Sequence, residues 1–290
     1  MCQGFGCNAC GVIGCRIIDS PRERLIAILT NNFIPCNGRF PVLISVAAIF
    51  FTQSVGRDAL GVPLLSSLMS ALFLTLFIIF SIIMTFFVSK ILSKTILRGI
   101  PSSFQLELPP FRRPRIASVI VRSIFDRTLF VLGRAVIIAA PAGLVIWSLT
   151  NINTNGVNLL THCADFLEPF ARLMSFDGFI LLAFVLGFPA NEIVIPIILM
   201  SYMSAGSLTD FESLAELREI LTVNGWTWVT AICVIIFTLF HFPCGTTCLT
   251  IKKETGSVKW TFAAIIIPTV IGILLCMCVT AAAKIAGMVL

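Results

Sequence analysis

Long apolar runs without a charged residue dominate the pattern of this 290-residue chain. Three runs contain no Lys, Arg, Asp or Glu, and they cover residues 59–89, 226–251 and 260–283. Each predicts a membrane-spanning helix, because about 20 apolar residues cross the hydrocarbon core of a bilayer. Residues 129–149 predict a fourth, since their one charge, Arg134, lies near an end and can reach the interface. Residues 40–56 are a shorter fifth candidate.

The apolar segment 179–202 carries polar and helix-breaking residues at its centre, namely Pro189, Asn191, Glu192 and Pro196. Proline removes a backbone donor and opens the helix. Non-helical backbone at membrane depth is tolerated only where protein or water surrounds it. The segment therefore predicts a broken pair of half-helices. They either enter and leave on one side of the membrane, or follow an extra crossing at 159–173.

The distribution of charge predicts the orientation. Residues 90–127 contain eight Lys or Arg against Glu107 and Asp126, which places this connector in the cytoplasm by the positive-inside rule. A second cytoplasmic loop is marked by Lys252, Lys253 and Lys259. The acidic loops, around 165–177 and 210–219, are then expected outside. Residues 25–33, after the charged positions 22–24, predict a short interfacial helix.

Composition supports a membrane protein and excludes several other classes. Hydrophobic residues make up 58% of the chain and charged residues only 12%, against roughly a quarter charged in a soluble domain. The net charge of +6 is concentrated in one connector, so it does not indicate nucleic-acid binding. The sequence has no phosphate-binding loop, serine-nucleophile elbow or His-Glu-x-x-His helix, so we expect no enzyme activity. The 11 cysteines lie mostly in or beside apolar segments and are expected to be reduced thiols.

Two short signatures recur along the chain. Gly-Phe-Gly-Cys-Asn at residues 4–8 resembles Gly-Phe-Pro-Ala-Asn at 187–191, and Phe-Ile-Pro-Cys at 33–36 resembles Phe-Pro-Cys at 242–244. Interrupted hydrophobic segments at matching positions of two repeats point to the midplane site of a transporter. A chance similarity remains the alternative, because the spacing between the signatures differs in the two copies.

Glu192 is the most informative single position, because 14 uncharged residues precede it and 17 follow it. An ionised carboxylate there is costly unless it faces a cavity and binds a cation. A protonated, structural glutamate is the alternative. Asn191 beside it offers a carbonyl oxygen, and Asn8 is its counterpart in the first repeat.

The cysteines of the signatures, Cys7, Cys36 and Cys244, favour a softer transition metal such as Fe²⁺ over Na⁺, Mg²⁺ or Ca²⁺. Packed membrane thiols are the alternative, and Cys10 is a minor candidate ligand. A structural zinc or iron–sulfur site that includes Cys248 is a further alternative. His241 can be a metal ligand, a proton relay or a histidine bonded to backbone.

Five motifs in order make the chain resemble the prokaryotic ferrous iron transport protein B (FeoB) family. They are the residues 4–8, 33–41, 107–112, 187–193 and 241–257. The resemblance covers essentially the whole chain and implies an all-α, polytopic membrane helix bundle with two gate-type repeats and broken or re-entrant half-helices. It also implies Fe²⁺ as the transported substrate, handled by Cys7, Cys36 and Cys244, with Asn191 and Glu192 supporting them.

The same resemblance divides the chain and implies partners. Residues 1–56 are expected to be the C-terminal part of the first gate repeat, 57–127 a transmembrane helix with the basic connector, and 128–290 the second repeat. Coupling to GTP is expected only through a GTPase domain or subunit absent from this chain, together with further N-terminal transmembrane helices. A multi-pass position in the prokaryotic inner (plasma) membrane is implied, and a homo-oligomer is a further possibility.

Two other functions stay open at this point. One is a nucleoside or organic-anion carrier of the related gate fold. The other is an inactive membrane fragment that needs a partner subunit.

Overall fold

A computed structural model describes residues 2–52, 63–97, 129–154, 157–203 and 214–287, with positions 117 and 121 between them. The helices of these residues are α1 (Asn8–Gly14), α2 (Pro21–Thr30), α3 (Phe40–Ala47), α4 (Pro63–Lys94), α5 (Phe130–Asn151), α6 (Leu159–Ala171), α7 (Gly178–Leu186), α8 (Val194–Tyr202), α9 (Leu214–Val223), α10 (Trp228–Phe240), α11 (Gly245–Thr255) and α12 (Val258–Ile285). Two strands of two residues each, β1 (Asn153–Thr154) and β2 (Val157–Asn158), form a small antiparallel hairpin. The all-α prediction is otherwise confirmed.

Four segments of the described part are long and apolar enough to cross a membrane: Pro21–Phe50, Leu68–Lys94, Trp228–Thr255 and Val258–Ile285. A fifth is possible if the bent pair Leu159–Met174 and Gly178–Leu186 forms one span. Helix α5 coincides with the run predicted at 129–149, and its 22 residues extend for about 33 Å. The predicted polytopic helix bundle is therefore confirmed.

Two of these spans are interrupted near their middle. Pro21–Phe50 consists of α2 and α3 joined by two short 3₁₀ turns and an extended segment at Ile34–Cys36. The prediction of an interfacial helix at 25–33 is wrong, because α2 buries Ile26, Ile28 and Leu29 in the bundle. The membrane span predicted at 226–251 is confirmed as the apolar segment Trp228–Thr255, but its helix is interrupted. It ends at Phe240 and restarts at Gly245 because Pro243 has no backbone N–H to donate.

The predicted break in 179–202 is confirmed, and its two halves form a hairpin. Helix α7 ends at Leu186, and a 3₁₀ turn at Asn191–Ile193 leads into α8. The Tyr202 hydroxyl at the end of α8 donates to Asp177 Oδ2 at the start of α7. The hairpin therefore enters and leaves at the same end of the bundle. Helix α6 joins α7 through a bend of 104°.

Charged residues lie at both ends of the bundle. At one end Arg16 pairs with Glu254 at 2.6 Å, and Arg22 donates to Ser93 Oγ at 3.0 Å. Lys252 and Lys253 close α11 at this end. The opposite end carries Asp177, Trp226 and Lys284 around one cavity. The orientation predicted from loop charge stays a prediction, because the end that carries Asp177 also carries Arg172 and Lys284. The basic connector lies largely outside the described residues.

Candidate functional site

Each of the three predicted cysteine ligands precedes the first turn of a helix. Cys7 is the N-cap of α1, Cys244 is the N-cap of α11, and Cys36 is the N-cap of the 3₁₀ turn Asn37–Arg39. All three have an extended backbone at this position. The three signature thiols therefore share one local setting, an extended residue immediately before a helical turn.

The two copies of the first signature have the same backbone conformation. Cys7 has φ −154° and ψ 124°, and Ala190 at the matching position has φ −151° and ψ 119°. One backbone hydrogen bond joins the two signatures of each copy: Asn37 N–H donates to Gly6 O at 3.3 Å, and Gly245 N–H donates to Phe188 O at 2.8 Å. Ala190 thus takes the place of a cysteine in the second copy.

Arg39 connects the two halves of the chain at the centre of the site. It is completely buried, and its guanidinium group donates to the carbonyls of Asn32, Leu239, His241 and Phe242 at 2.8 to 3.4 Å. The last three carbonyls belong to the C-terminal end of α10, where helical partners are missing. Arg39 was not predicted from the sequence. Its one signal was an arginine between Cys36 and an apolar run.

Three side-chain amides extend this network. Asn32 donates to the His241 carbonyl at 2.9 Å, and its Oδ1 accepts from Arg39 Nη2 at 3.1 Å. Asn8 Nδ2 donates to the same Oδ1 at 3.3 Å, and Asn31 Nδ2 donates to the Asn8 carbonyl at 3.0 Å. All three are at least 97% buried. Asn31 and Asn32 were also missed, although the sequence shows two adjacent amides before the Phe-Ile-Pro-Cys signature.

His241 and Asn191 meet where the two broken segments cross. His241 Nδ1 lies 3.0 Å from the carbonyls of Phe237 and Thr238, so this nitrogen carries the proton. Its Nε2 lies 3.3 Å from Asn191 Oδ1. Both side chains are buried. The backbone-bonded alternative for His241 is therefore realised at Nδ1, and Nε2, which then has no proton, can only accept from the amide N–H of Asn191.

The signature thiols are neighbours but do not form a preassembled metal centre. Cys244 is close enough to Cys7 and Cys36 for electrostatic interaction with both. Across the described residues, however, no three His, Cys, Asp or Glu side chains are close enough together to hold one metal ion. Cys10 is exposed on α1, and Glu192 is exposed beside buried Asn191. The backbone N of Glu192 lies 3.9 Å from where a Cβ on Gly38 would be, so the re-entrant turn packs against the Asn37–Arg39 turn.

A cavity of 580 Å³ opens at the end of the bundle that carries Asp177 and Trp226. An aromatic cluster of Phe176, Phe184 and Phe237 separates it from His241. The Phe184 and Phe237 ring centroids are 4.9 Å apart, and Phe184 lies 5.3 Å from the His241 ring. Phe176 lines the cavity and contacts the other two rings. A continuous series of ring contacts therefore runs from this cavity to His241.

Comparison with known families gives two matches. The family described as "Ferrous iron transport protein B C terminus" matches residues 74–126, and the family described as "Nucleoside recognition" matches residues 132–258. No solved structure matches the chain.

Individual relatives of the chain are named as FeoB proteins. The chain is 30% identical over 277 residues to the "Fe(2+) transporter FeoB" of Staphylococcus aureus, which covers 93% of the chain and 38% of the relative. It is 24% identical to that of Methanocaldococcus jannaschii, over 91% of the chain and 38% of the relative. A fusion protein of Porphyromonas gingivalis, "Fe(2+) transport protein A/Fe(2+) transporter FeoB", is 23% identical over 91% of the chain. The chain spans about two fifths of the length of the first two relatives. Together with the helix bundle, these matches show that the chain belongs to the FeoB family and corresponds to its C-terminal membrane part.

Proposed function

We propose that this chain forms the membrane pathway of a ferrous iron importer, in which Fe²⁺ passes between two gate repeats. The observation that carries the proposal is the placement of Cys7, Cys36 and Cys244 at the N-termini of three helical segments that begin inside the bundle. The matching backbone at Cys7 and Ala190 supports the two-repeat arrangement. The names of the relatives support Fe²⁺ as the substrate.

The donor set suits Fe²⁺ because thiolates and imidazole bind borderline metals better than hard ones. Asn191 Oδ1 and His241 Nε2 lie at the crossing of the two broken segments and add one oxygen and one nitrogen. Glu192 supplies negative charge at the re-entrant turn. A substrate that must leave again needs ligands that bind it in succession, which agrees with thiols that are near one another but not preassembled.

Transport requires the aromatic cluster to open. Phe176, Phe184 and Phe237 fill the space between the outer cavity and His241, so a hydrated ion cannot pass them as they are packed. We propose that movement of the α7–α8 hairpin relative to α10 separates these rings. GTP binding by a partner domain or subunit drives this movement, since the chain itself has no phosphate-binding loop. The proposed location is the prokaryotic inner membrane.

Metal binding by the purified chain tests the thiol assignment. Co²⁺ is a spectroscopic substitute for Fe²⁺, and a bound thiolate gives a sulfur-to-metal charge-transfer band. We expect this band in the reduced chain under anaerobic conditions, and we expect Cys7→Ser and Cys244→Ser to weaken Co²⁺ binding about tenfold each. Cys278→Ser is the matched control, because Cys278 is an exposed thiol on α12. A band that persists in the Cys7, Cys36 and Cys244 triple serine variant would refute the assignment.

A nucleoside carrier is the second candidate function, because residues 132–258 match the family described as "Nucleoside recognition". The polar groups that the structure gathers at the crossing are amides and one imidazole, which can also bind a nucleobase. Proteoliposomes that receive radiolabelled nucleoside in the external buffer in one experiment, and radiolabelled Fe²⁺ in another, separate the two functions. Saturable nucleoside uptake without Fe²⁺ uptake would favour this second candidate.

A further inference from the structure

Two buried amide oxygens of the first repeat accept no hydrogen bond from any described residue. They are Oδ1 of Asn8 and Oδ1 of Asn31, in side chains that are 3% and 1% exposed. A buried carbonyl oxygen without a partner costs about 1–3 kcal/mol. Two of them in one place call for a ligand that supplies positive charge.

The hydrogen bonds of the network determine which way both amides face. Asn32 Nδ2 donates to the His241 carbonyl, so Asn32 Oδ1 is an acceptor and must receive Asn8 Nδ2. Asn31 Nδ2 likewise donates to the Asn8 carbonyl, which cannot donate in return. Flipping either amide would place oxygen against oxygen. The two Oδ1 atoms are therefore the free acceptors.

Both oxygens face the same glycine. A Cβ on Gly4 would lie 3.0 Å from Asn31 Oδ1 and 3.4 Å from Asn8 Oδ1, so one atom in that space contacts both. Gly11 faces Asn31 from the other side, and a Cβ there would lie 2.5 Å from its Oδ1. Glycine at these two positions lets the amides approach the backbone, and at Gly4 it leaves the space between the oxygens free of side-chain atoms.

We propose that Asn8 and Asn31 form a binding site for a hard monovalent cation of the Na⁺ type, beside Gly4 and separate from the signature thiols. Neutral carbonyl oxygens with no thiolate or imidazole beside them suit a hard cation better than Fe²⁺. Arg39 lies on the Asn32 side of the Asn8 amide, and its positive charge opposes a divalent ion twice as strongly as a monovalent one. Ion sites of this kind occur where transporter helices are interrupted.

Thermal unfolding of the purified full chain in detergent tests the site, with NaCl compared against KCl and choline chloride at equal ionic strength. We expect a saturable rise of the apparent Tm of about 3 °C in Na⁺, because an ion that binds only the folded chain stabilises it. Radiolabelled Na⁺ in equilibrium dialysis gives a second readout that is independent of unfolding. The site does not depend on Fe²⁺ binding by the cysteines, so either proposal can fail without the other.

Gly4→Ala is the informative variant, because its methyl group occupies the space between the two oxygens without removing any hydrogen bond. We expect it to abolish both the Tm rise and the bound Na⁺. Gly6→Ala is the matched control and keeps both, since a Cβ there meets only Gln3 O at 3.6 Å. Absence of saturable Na⁺ binding in the wild type, or equal binding in Gly4→Ala, would overturn the inference. Without saturable Na⁺ binding in the wild type, buried water would occupy the space beside Gly4. With equal binding in Gly4→Ala, Na⁺ would bind at another site.

Discussion

At the scale of single residues, the site depends on polar side chains that serve backbone groups of the other half of the chain. Arg39 donates to the carbonyls of Leu239 and His241, and Asn32 donates to that of His241, across 200 to 209 positions of sequence. Burial of a charge is tolerated here because its donors meet carbonyls at a helix C-terminus, where negative partial charge collects. These contacts join the two predicted repeats directly.

Loss of Arg39 should destabilise the bundle far more than loss of a surface arginine. We expect Arg39→Met to lower the free energy of unfolding by about 3 kcal/mol, because several buried carbonyls lose their donor. Thermal unfolding in detergent should show this as a fall of about 8 °C in Tm. Arg16→Met is the matched control. Arg16 pairs with Glu254 but is 61% exposed, so its removal should change Tm little. Equal falls in the two variants would contradict this account of Arg39.

The sequence predicted some of these residues and missed others for a physical reason. Cys7, Cys36 and Cys244 stand in recurring signatures with Gly or Pro, so their unusual backbone was visible in the sequence. Asn31 and Arg39 act through carbonyl groups that any residue provides, and such partners leave no trace in sequence. The roles of the cysteines and of Glu192 in metal handling remain predictions.

At the scale of elements, interrupted helices create the site. The break between α7 and α8 was predicted because Pro189, Asn191 and Glu192 interrupt an apolar segment. Pro243 marks the break between α10 and α11 as well, although the uncharged run 226–251 by itself predicted only a span. Absence of charge indicates membrane depth but does not show whether a helix is continuous.

The sharp bend before the hairpin depends on one glycine. A Cβ on Gly178 would lie 2.0 Å from the backbone oxygen of Ala164, and backbone cannot move aside as a flexible side chain can. We expect Gly178→Ala to lower the free energy of unfolding by at least about 2 kcal/mol through this overlap. The change is measured by chemical unfolding in mixed micelles.

Gly143→Ala on α5 is the control for this prediction, because a Cβ there has nothing within 4 Å. It should leave stability unchanged or raise it by up to about 1 kcal/mol through higher helix propensity. Equal stability of the Gly178→Ala and Gly143→Ala variants would contradict the close contact between α6 and α7 at Gly178.

At the scale of the whole molecule, the hydropathy pattern and the resemblance were sufficient for the class and the family. A mean hydropathy of +1.02 and the uncharged runs predicted a multi-pass helix bundle, which the structure confirms. The tertiary arrangement needed coordinates, because sequence alone left open whether 159–173 crosses the membrane or 179–202 returns to the same side. The bond between Tyr202 and Asp177 shows a hairpin that returns.

Orientation in the membrane gives a prediction at this scale. Helix α12 begins beside Lys252 and Lys253, at the end that we place in the cytoplasm, and ends at Ile285 near Lys284 and the outer cavity. The C-terminus should therefore lie outside. Alkaline phosphatase fused to the C-terminus should be active in cells, and green fluorescent protein at the same place should be dark. Inactive alkaline phosphatase together with fluorescent green fluorescent protein would place the C-terminus in the cytoplasm. The cavity lined by Asp177 and Trp226 would then face the cytoplasm as well.

Initial uptake of radiolabelled Fe²⁺ is the most direct test of the central claim, that ferrous iron crosses the membrane along the signature thiols. The chain is expressed with its proposed GTPase partner in bacteria that lack their own ferrous uptake. At equal abundance in the membrane, we expect Cys7→Ser, Cys244→Ser and Glu192→Gln each to lower the initial rate about tenfold, and Cys278→Ser to leave it unchanged. Wild-type rates in the first three variants would contradict the account.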